Sequence, residues 1–281
     1  MIIDAHCHAG KGDGLTGPWD TDAHLGRYRA RARAAGIDRT VIFAAFNSDY
    51  RRANRDVAAI VRADPARFIG FAFVHPVLDR GRMGPMVREA VEELGLRGIK
   101  AHRHDGRMTR EVADAARAWR LPVIYDVQGD VASVELLARE FPDVAWIIPH
   151  LGSFADDWRA QVLFVDVLAR HPNVFTDTAG VRRFDTLLEA VHRAGPEKII
   201  FGSDGPWLHP GLELAKVRAL KLEPRAEQLV LGGNITRLID RARQGAKVVH
   251  RPSTRPLVAR RDPWLPRDRV RARAGDGGPD P

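Results

Sequence analysis

One pattern constrains this chain more than any other: a short apolar run, a turn, then an amphipathic helical stretch, repeated until eight runs have accumulated. The runs fall at 1–6, 40–45, 68–74, 97–101, 121–126, 144–149, 173–177 and 198–203. Helical periodicity covers 22–35, 49–63, 85–94, 109–119, 131–140, 158–170 and 182–194 between them, with two further helices near 211–221 and from about 234. Asp22 and Thr109 stand as N-caps, and Gly95 and Gly195 stand where helices should stop. Apolar strands alternating with helices imply a parallel sheet, and eight such units imply a closed (β/α)8 TIM barrel of the α/β class. A barrel of that kind takes about 250 residues. The 281-residue chain therefore resolves into a barrel over 1–246 and a remainder, 247–281.

The remainder differs in kind. Residues 241–281 carry 11 Lys or Arg against 4 Asp or Glu, whereas 1–240 carry 33 against 32. The chain's net charge of +8 thus belongs to an Arg- and Pro-rich tail without apolar periodicity, expected to be disordered. The nearly neutral body does not look like a nucleic-acid surface, so nucleic acid is not expected as a partner. With no membrane-length apolar run and no signal-like start, a soluble cytoplasmic protein is expected. A homo-oligomer is left open. The single cysteine, Cys7, excludes an intrachain disulfide and reads as a packed thiol.

A barrel gathers its functional residues at the C-terminal ends of its strands. The first run ends in His6-Cys-His8, the fourth in Lys100-Ala-His102-Arg-His104, the fifth in Tyr125-Asp126, and the sixth in Pro149-His150. The seventh ends in Asp177 and the eighth in Gly-Ser-Asp204-Gly-Pro. Period-two alternation along the first strand sends Asp4, His6 and His8 to one face. Neutral imidazoles are common ligands of divalent metals, so this pair forms half of a metal site.

The series Asp4-Ala-His6-Cys-His8, Gly98-Ile-Lys100, Pro149-His150-Leu-Gly152, Gly202-Ser-Asp204-Gly-Pro206 and Leu231-Gly-Gly-Asn234 resembles the amidohydrolase superfamily over about residues 2–240. The nearest resemblance is to the amidohydrolase-2 group related to aminocarboxymuconate-semialdehyde decarboxylase. It implies a TIM barrel holding one divalent metal, with His6, His8 and Asp204 as ligands and His150 activating water or substrate. In one place the chain departs from the pattern: Asp126 stands where the family usually carries a ligating histidine. A carboxylate can bind zinc at about 2.0–2.2 Å, so a ligand set of His6, His8, Asp126 and Asp204 is expected, with Asp126 as a hydrogen-bonding residue the alternative. Zinc is the expected ion, manganese or iron the alternatives.

A metal with three protein ligands and one open position brings the pKa of a bound water to about 7. Asp204 then completes the shell or takes the proton, and His150 orients the water or polarises the substrate. Lys100 pairs with a site carboxylate or holds a substrate carboxylate; a carboxylated lysine bridging two metals is disfavoured. His102, His75 and Trp19 are candidate substrate contacts. Gly12-Asp-Gly-Leu-Thr-Gly17 matches the dinucleotide pattern G-x-G-x-x-G but leads into Pro18-Trp19 rather than a helix, and reads as a loop over the barrel mouth.

These residues lead to a metal-dependent hydrolase cleaving an amide, ester or lactone in a small molecule. A decarboxylase or hydratase on the same site is the alternative. A nicotinamide-dependent oxidoreductase and a barrel without catalysis are the readings from other classes.

Overall fold

Parallel strands covered on both faces should be apolar throughout, and the strand at Arg39–Ala44 (β3) illustrates why the runs read so clearly: Val41, Ile42 and Phe43 are all fully buried. Burial of each such side chain contributes about 1.5–3 kcal/mol. The computed structural model describes residues 1–15, 21–154 and 157–249, with only the helical backbone described beyond 242. The compact unit they form runs from Met1 to His250.

Around the barrel come β1 (Ile3–Lys11), β3, the pair β4 (Phe68–Gly70) and β5 (Ala72–Phe73), then β6 (Ile99–His102), β7 (Val123–Asp126), β8 (Trp146–Ile148), β9 (Val174–Asp177) and β10 (Ile199–Ile200). One sheet has the order β2-β1-β3-β4, with β2 at Asp22–Ala23, and the other β10-β9-β8-β7-β6-β5. Backbone hydrogen bonds join them at two seams. On one side the chain itself passes from one sheet to the other: Phe71 N donates to Ile42 O of β3 (2.9 Å) and Ala72 N to Gly98 O just ahead of β6 (2.8 Å). Ala5 N donates to Phe201 O (2.9 Å) and His8 N to Gly205 O (2.6 Å) on the other side. The eight expected runs therefore become eight barrel strands, the third split at Phe71, in an α/β TIM barrel. Asn54 satisfies the backbone just beyond that split: its Nδ2 donates to Phe73 O (2.9 Å) and its Oδ1 accepts from Phe73 N (2.8 Å).

Helices fill the connections: α1 (Leu25–Ala34), α2 (Tyr50–Ala63), α3 (Met83–Glu92), α4 (Arg110–Trp119), α5 (Val131–Glu140), α6 (Trp158–Arg170) and α7 (Phe184–Ala194). After β10 follow α8 (Pro210–Ala219), α9 (Pro224–Gln228) and α10 (Asn234–Val249). Two caps differ from expectation. Asp22 pairs in β2 with Lys11, so His24 caps α1 instead, its Nδ1 accepting from Gly26 N (3.2 Å). Thr109 occupies the cap position of α4, but its buried hydroxyl makes no hydrogen bond. Gly195 ends α7 at φ +87°, and Gly95, at φ +71°, follows α3.

The segment after the first strand returns as β2, antiparallel to β1, with Gly10 opposite Ala23. Among the described residues of this hairpin no helix follows the glycines, whereas the dinucleotide pattern needs a helix N-terminus to meet the pyrophosphate. Trp19 and the tail from 250 lie outside the described residues, and α10 extends past the boundary expected at 246. No helix among the described residues is long and apolar enough to cross a membrane.

Candidate metal centre

β1 runs on to Lys11, so His6 and His8 lie within the strand rather than after it. The β1–β3 register shifts between Asp4 and Cys7, which interrupts simple alternation. His6 and His8 face the barrel mouth, whereas Asp4 is tied elsewhere: it accepts from Tyr28 Oη (2.6 Å), Ser203 N (2.9 Å) and Ser203 Oγ. Burial raises the Asp4 carboxyl to about 6, even though these hydrogen bonds pull it down. Asp4 thereby fixes the turn that carries Asp204. Gly202 matters to the same approach, because a Cβ there would lie 2.9 Å from the Cβ of His6. Cys7 is fully buried, as expected of a packed thiol.

The imidazoles are oriented through their Nδ1 atoms. His6 Nδ1 lies 2.7 Å from Asp177 Oδ2, and His8 Nδ1 lies 3.0 Å from the carbonyl of Ala44. Ionised carboxylates and carbonyls only accept, so each histidine carries its proton on Nδ1 and aims the Nε2 lone pair at the mouth. There both meet Asp204 Oδ1, at 3.3 Å from His6 Nε2 and 3.7 Å from His8 Nε2. Three acceptors converge with no proton between them. Protonation would relieve the contact, but burial, followed by the charge of Lys100, lowers His6 below its ordinary value and His8 well below it. A divalent cation is one way to satisfy such a group of acceptors. Two donors held at about 2.0–2.1 Å from an ion at the tetrahedral angle sit about 3.3 Å apart, so the His6–Asp204 spacing fits a bound metal. Among the described residues, His6, His8 and Asp204 are the group whose donor atoms all lie within 4.8 Å of one another.

Opposite this group stand the remaining candidates. Asp126 Oδ2 lies 3.1 Å from His102 Nε2 and 3.5 Å from His150 Nε2. His150 donates Nδ1–H to Ala179 O (2.7 Å), and its backbone N–H is held by Asp177 Oδ1 (3.2 Å). Burial alone would lower the His150 imidazole, but the Asp126 hydrogen bond and the charges of Asp126, Asp177 and Asp204 raise it to about 9. Burial works likewise against ionisation of Asp126, yet His102 and His150 hold that carboxyl well below the usual range. Lys100 is 1% exposed, with its ammonium 4.9 Å from the Phe43 ring centroid. Burial depresses its pKa, and the surrounding carboxylates, led by Asp126 and Asp204, oppose that.

These side chains line one cavity of about 190 Å³. Phe46, His102, Gln128, Phe154 and Trp207 form the rest of its wall. Of the lining residues the sequence singles out His6, His8, Lys100, His102, Asp126, His150 and Asp204; it misses Phe46, Gln128, Phe154 and Trp207, because they sit in irregular loops without a period to mark them. Three of the lining residues, Gln128, His150 and Asp204, occupy the left-handed region at φ +48°, +60° and +55°. A non-glycine residue there costs of order 1–3 kcal/mol, and such strain concentrates at functional sites. His75 is not brought to the cavity. Its Nδ1 accepts from Val77 N (3.2 Å) and Leu78 N (3.1 Å), which turns the ring into the loop that follows β5.

A closed α/β barrel with two strand-one histidines and a strand-eight aspartate converging at its C-terminal mouth defines a metal-dependent barrel enzyme. The amidohydrolase family model Amidohydro_2 matches residues 3–241, and the chain belongs to that family. It is an enzyme of the metal-dependent amidohydrolase type. A search of curated proteins returns no match. Among solved structures it is similar to 5-carboxyvanillate decarboxylase from Sphingomonas paucimobilis, at 14% identity and TM-score 0.67 over 85% of this chain and 98% of that one. A dihydroxybenzoic acid decarboxylase from a Polaromonas species, with bound manganese and 2-nitroresorcinol, gives 16%, 0.65, 85% and 96%. A putative 2-pyrone-4,6-dicarboxylic acid hydrolase from Pseudomonas putida gives 19%, 0.64, 85% and 97%.

Proposed function

We propose that this protein is a metal-dependent hydrolase of a small carbonyl compound, an amide, ester or lactone, with His6, His8 and Asp204 holding one divalent ion. The observation that carries the reading is the convergence of two Nε2 lone pairs and a carboxylate whose neighbours leave no proton to share. A mixed imidazole and carboxylate set suits zinc, with manganese or iron as alternatives, and manganese is the ion in the Polaromonas decarboxylase. When bound, the ion would supply Lewis-acid polarisation of a substrate oxygen and a lowered pKa for a coordinated water.

The chain's own groups do the rest. Lys100 offers a buried ammonium to a carboxylate or developing oxyanion on the substrate. His150, fixed at Nδ1 by Ala179, presents Nε2 to the cavity, where it can hold a proton for the leaving group. Phe46, Phe154 and Trp207 give an aromatic wall to a space suited to a single substituted ring, given that a cavity of about 150 Å³ accepts benzene.

A second reading, decarboxylation, is favoured by the His150 imidazole, whose pKa in the metal-free protein is raised against burial to about 9 by the Asp126 hydrogen bond and the nearby carboxylates; a proton held there could pass to a carbon as its carboxyl group leaves. The neighbouring decarboxylases support it by analogy of fold. The two are separated by assaying metal-loaded protein against lactone, ester and amide panels in a pH-stat, and against hydroxybenzoates for carbon dioxide release. Acid release lost in Asp204→Asn supports hydrolysis. Carbon dioxide release lost in the same variant transfers the reading to decarboxylation, and turnover of neither panel by metal-loaded protein counts against both.

A further inference from the structure

Asp126 ends β7 at the position where the family resemblance leads one to expect a histidine ligand, and the structure already occupies both of its oxygens with protein donors. Oδ1 accepts from Gln128 N at 2.9 Å. Oδ2 lies 3.1 Å from His102 Nε2. The tautomer of His102 is set independently, because its Nδ1 accepts from the backbone N–H of His104 at 3.0 Å. The ring proton of neutral His102 therefore resides on Nε2 and is donated to Asp126. The same Oδ2 faces His150 Nε2 at 3.5 Å, and His150 is anchored from behind by Ala179. Asp126 also falls outside the group of donor atoms that lie mutually within 4.8 Å. Turning this carboxylate toward a metal would leave the Nε2–H of His102 without its acceptor, where the side chains of His102 and Asp126 are only 12% and 7% exposed.

We propose that Asp126 is a positioning residue rather than a metal ligand: a shared acceptor that locks His102 and, through the same oxygen, sets the direction of His150 across the cavity from His6, His8 and Asp204. The site then has two halves with separate supports. Asp177 and Ala44 orient the metal-binding half, and Asp126, with the backbone of His104 behind His102, orients the histidine half. His102 serves as a wall and a clamp, since both of its ring nitrogens are engaged within the protein. The placement of Asp126 rests on the metal reading only in naming what the opposite half holds.

The test uses the full chain loaded with zinc, as wild type, Asp126→Ala, Asp126→Asn and Asp204→Asn. Zinc affinity is read by chelator competition, and histidine ring protons by long-range ¹H–¹⁵N correlation, with His102 assigned through His102→Gln. Both Asp126 variants are expected to bind zinc within about threefold of wild type, whereas Asp204→Asn loses tenfold or more. Wild type should show a protected Nε2 proton on His102. Asp126→Ala should lose it, and Asp126→Asn, whose side-chain carbonyl still accepts, should retain it. Should the alanine variant fail to fold, the asparagine variant's affinity and the wild-type tautomer decide. A tenfold loss of zinc in Asp126→Asn overturns the proposal, as does an Nδ1–H tautomer of His102 or an Nε2 proton that persists in Asp126→Ala. Wild type that binds no zinc yet shows the expected His102 proton defeats the metal reading and leaves Asp126 where it is placed.

Discussion

Asp177→Asn is the substitution whose consequence follows most directly from the geometry. Asp177 is fully buried, and each of its oxygens has a separate duty. Oδ1 accepts from the backbone of His150 (3.2 Å) and Ala179 (3.1 Å), while Oδ2 accepts from His6 Nδ1 (2.7 Å). Asparagine can keep only one acceptor. If its oxygen stays with the two amides, its NH2 group faces the Nδ1–H of His6, donor against donor. The imidazole relieves that contact by moving its proton to Nε2, the atom aimed at Asp204. One of the proposed metal donors is then removed without touching any of the three proposed ligands. Changes to such supporting partners typically cost about 10- to 100-fold in metal affinity, or about 1.4–2.7 kcal/mol. Loss of a buried charge-assisted hydrogen bond adds about 1.5–3 kcal/mol of destabilisation. For a chain of this size each kcal/mol lowers Tm by about 2–4 °C. Chelator competition at neutral pH, on protein shown to be folded by circular dichroism, reads the affinity. A folded Asp177→Asn protein that binds zinc as tightly as wild type refutes the reasoning about the His6 tautomer.

Three other outcomes follow from the same structure. Asn54→Ala leaves Phe73 N–H and C=O buried without their partner, at about 1–3 kcal/mol for each unsatisfied group, and urea denaturation should show the sum as a lower midpoint with an unchanged slope. Gly98→Ala places a methyl 2.3 Å from the buried Phe71 ring, so thermal melts should show a loss of about 1–3 kcal/mol or more; no change in Tm would mean that the packing of Phe71 over Gly98 yields easily. In metal-free protein His150 has a folded-state pKa of about 9, above its unfolded value of about 6.5, so its contribution to stability is complete below about 6.5 and is lost as pH rises through 9. His150→Gln should flatten that part of the stability–pH curve, and an unaltered curve would show that His150 is not the group titrating.

The barrel was legible because parallel strands buried on both faces leave unbroken apolar runs, and β3 and β7 are examples. What could not be read were features set by a neighbour. β2 consists of two residues that become a strand only by pairing with Lys11 and Gly10, and the third run breaks at Phe71 because its two ends pair with different strands. The candidate site was legible in its chemistry but only partly in its wiring. His6, His8, Lys100, Asp126, His150 and Asp204 do meet in one cavity, because strand order brings their C-terminal ends together. Asp177 was visible as a strand-end acid, yet its role behind His6 depends on a contact across 171 positions of sequence. The shift in the β1–β3 register between Asp4 and Cys7 likewise has no signature in the run itself. His75 shares the residue type and the strand-end position of the other histidines, and only the local turn that captures its Nδ1 removes it from the cavity.

The central claim is that His6, His8 and Asp204 hold a divalent metal, and anomalous diffraction from crystals of protein reconstituted with zinc or manganese tests it most directly. The account predicts one anomalous peak at the barrel mouth, within about 2.0–2.3 Å of His6 Nε2, His8 Nε2 and an Asp204 oxygen, with Asp126 still bound to His102. A mouth without a peak under saturating metal, or an ion seated instead between Asp126 and His150, would contradict it.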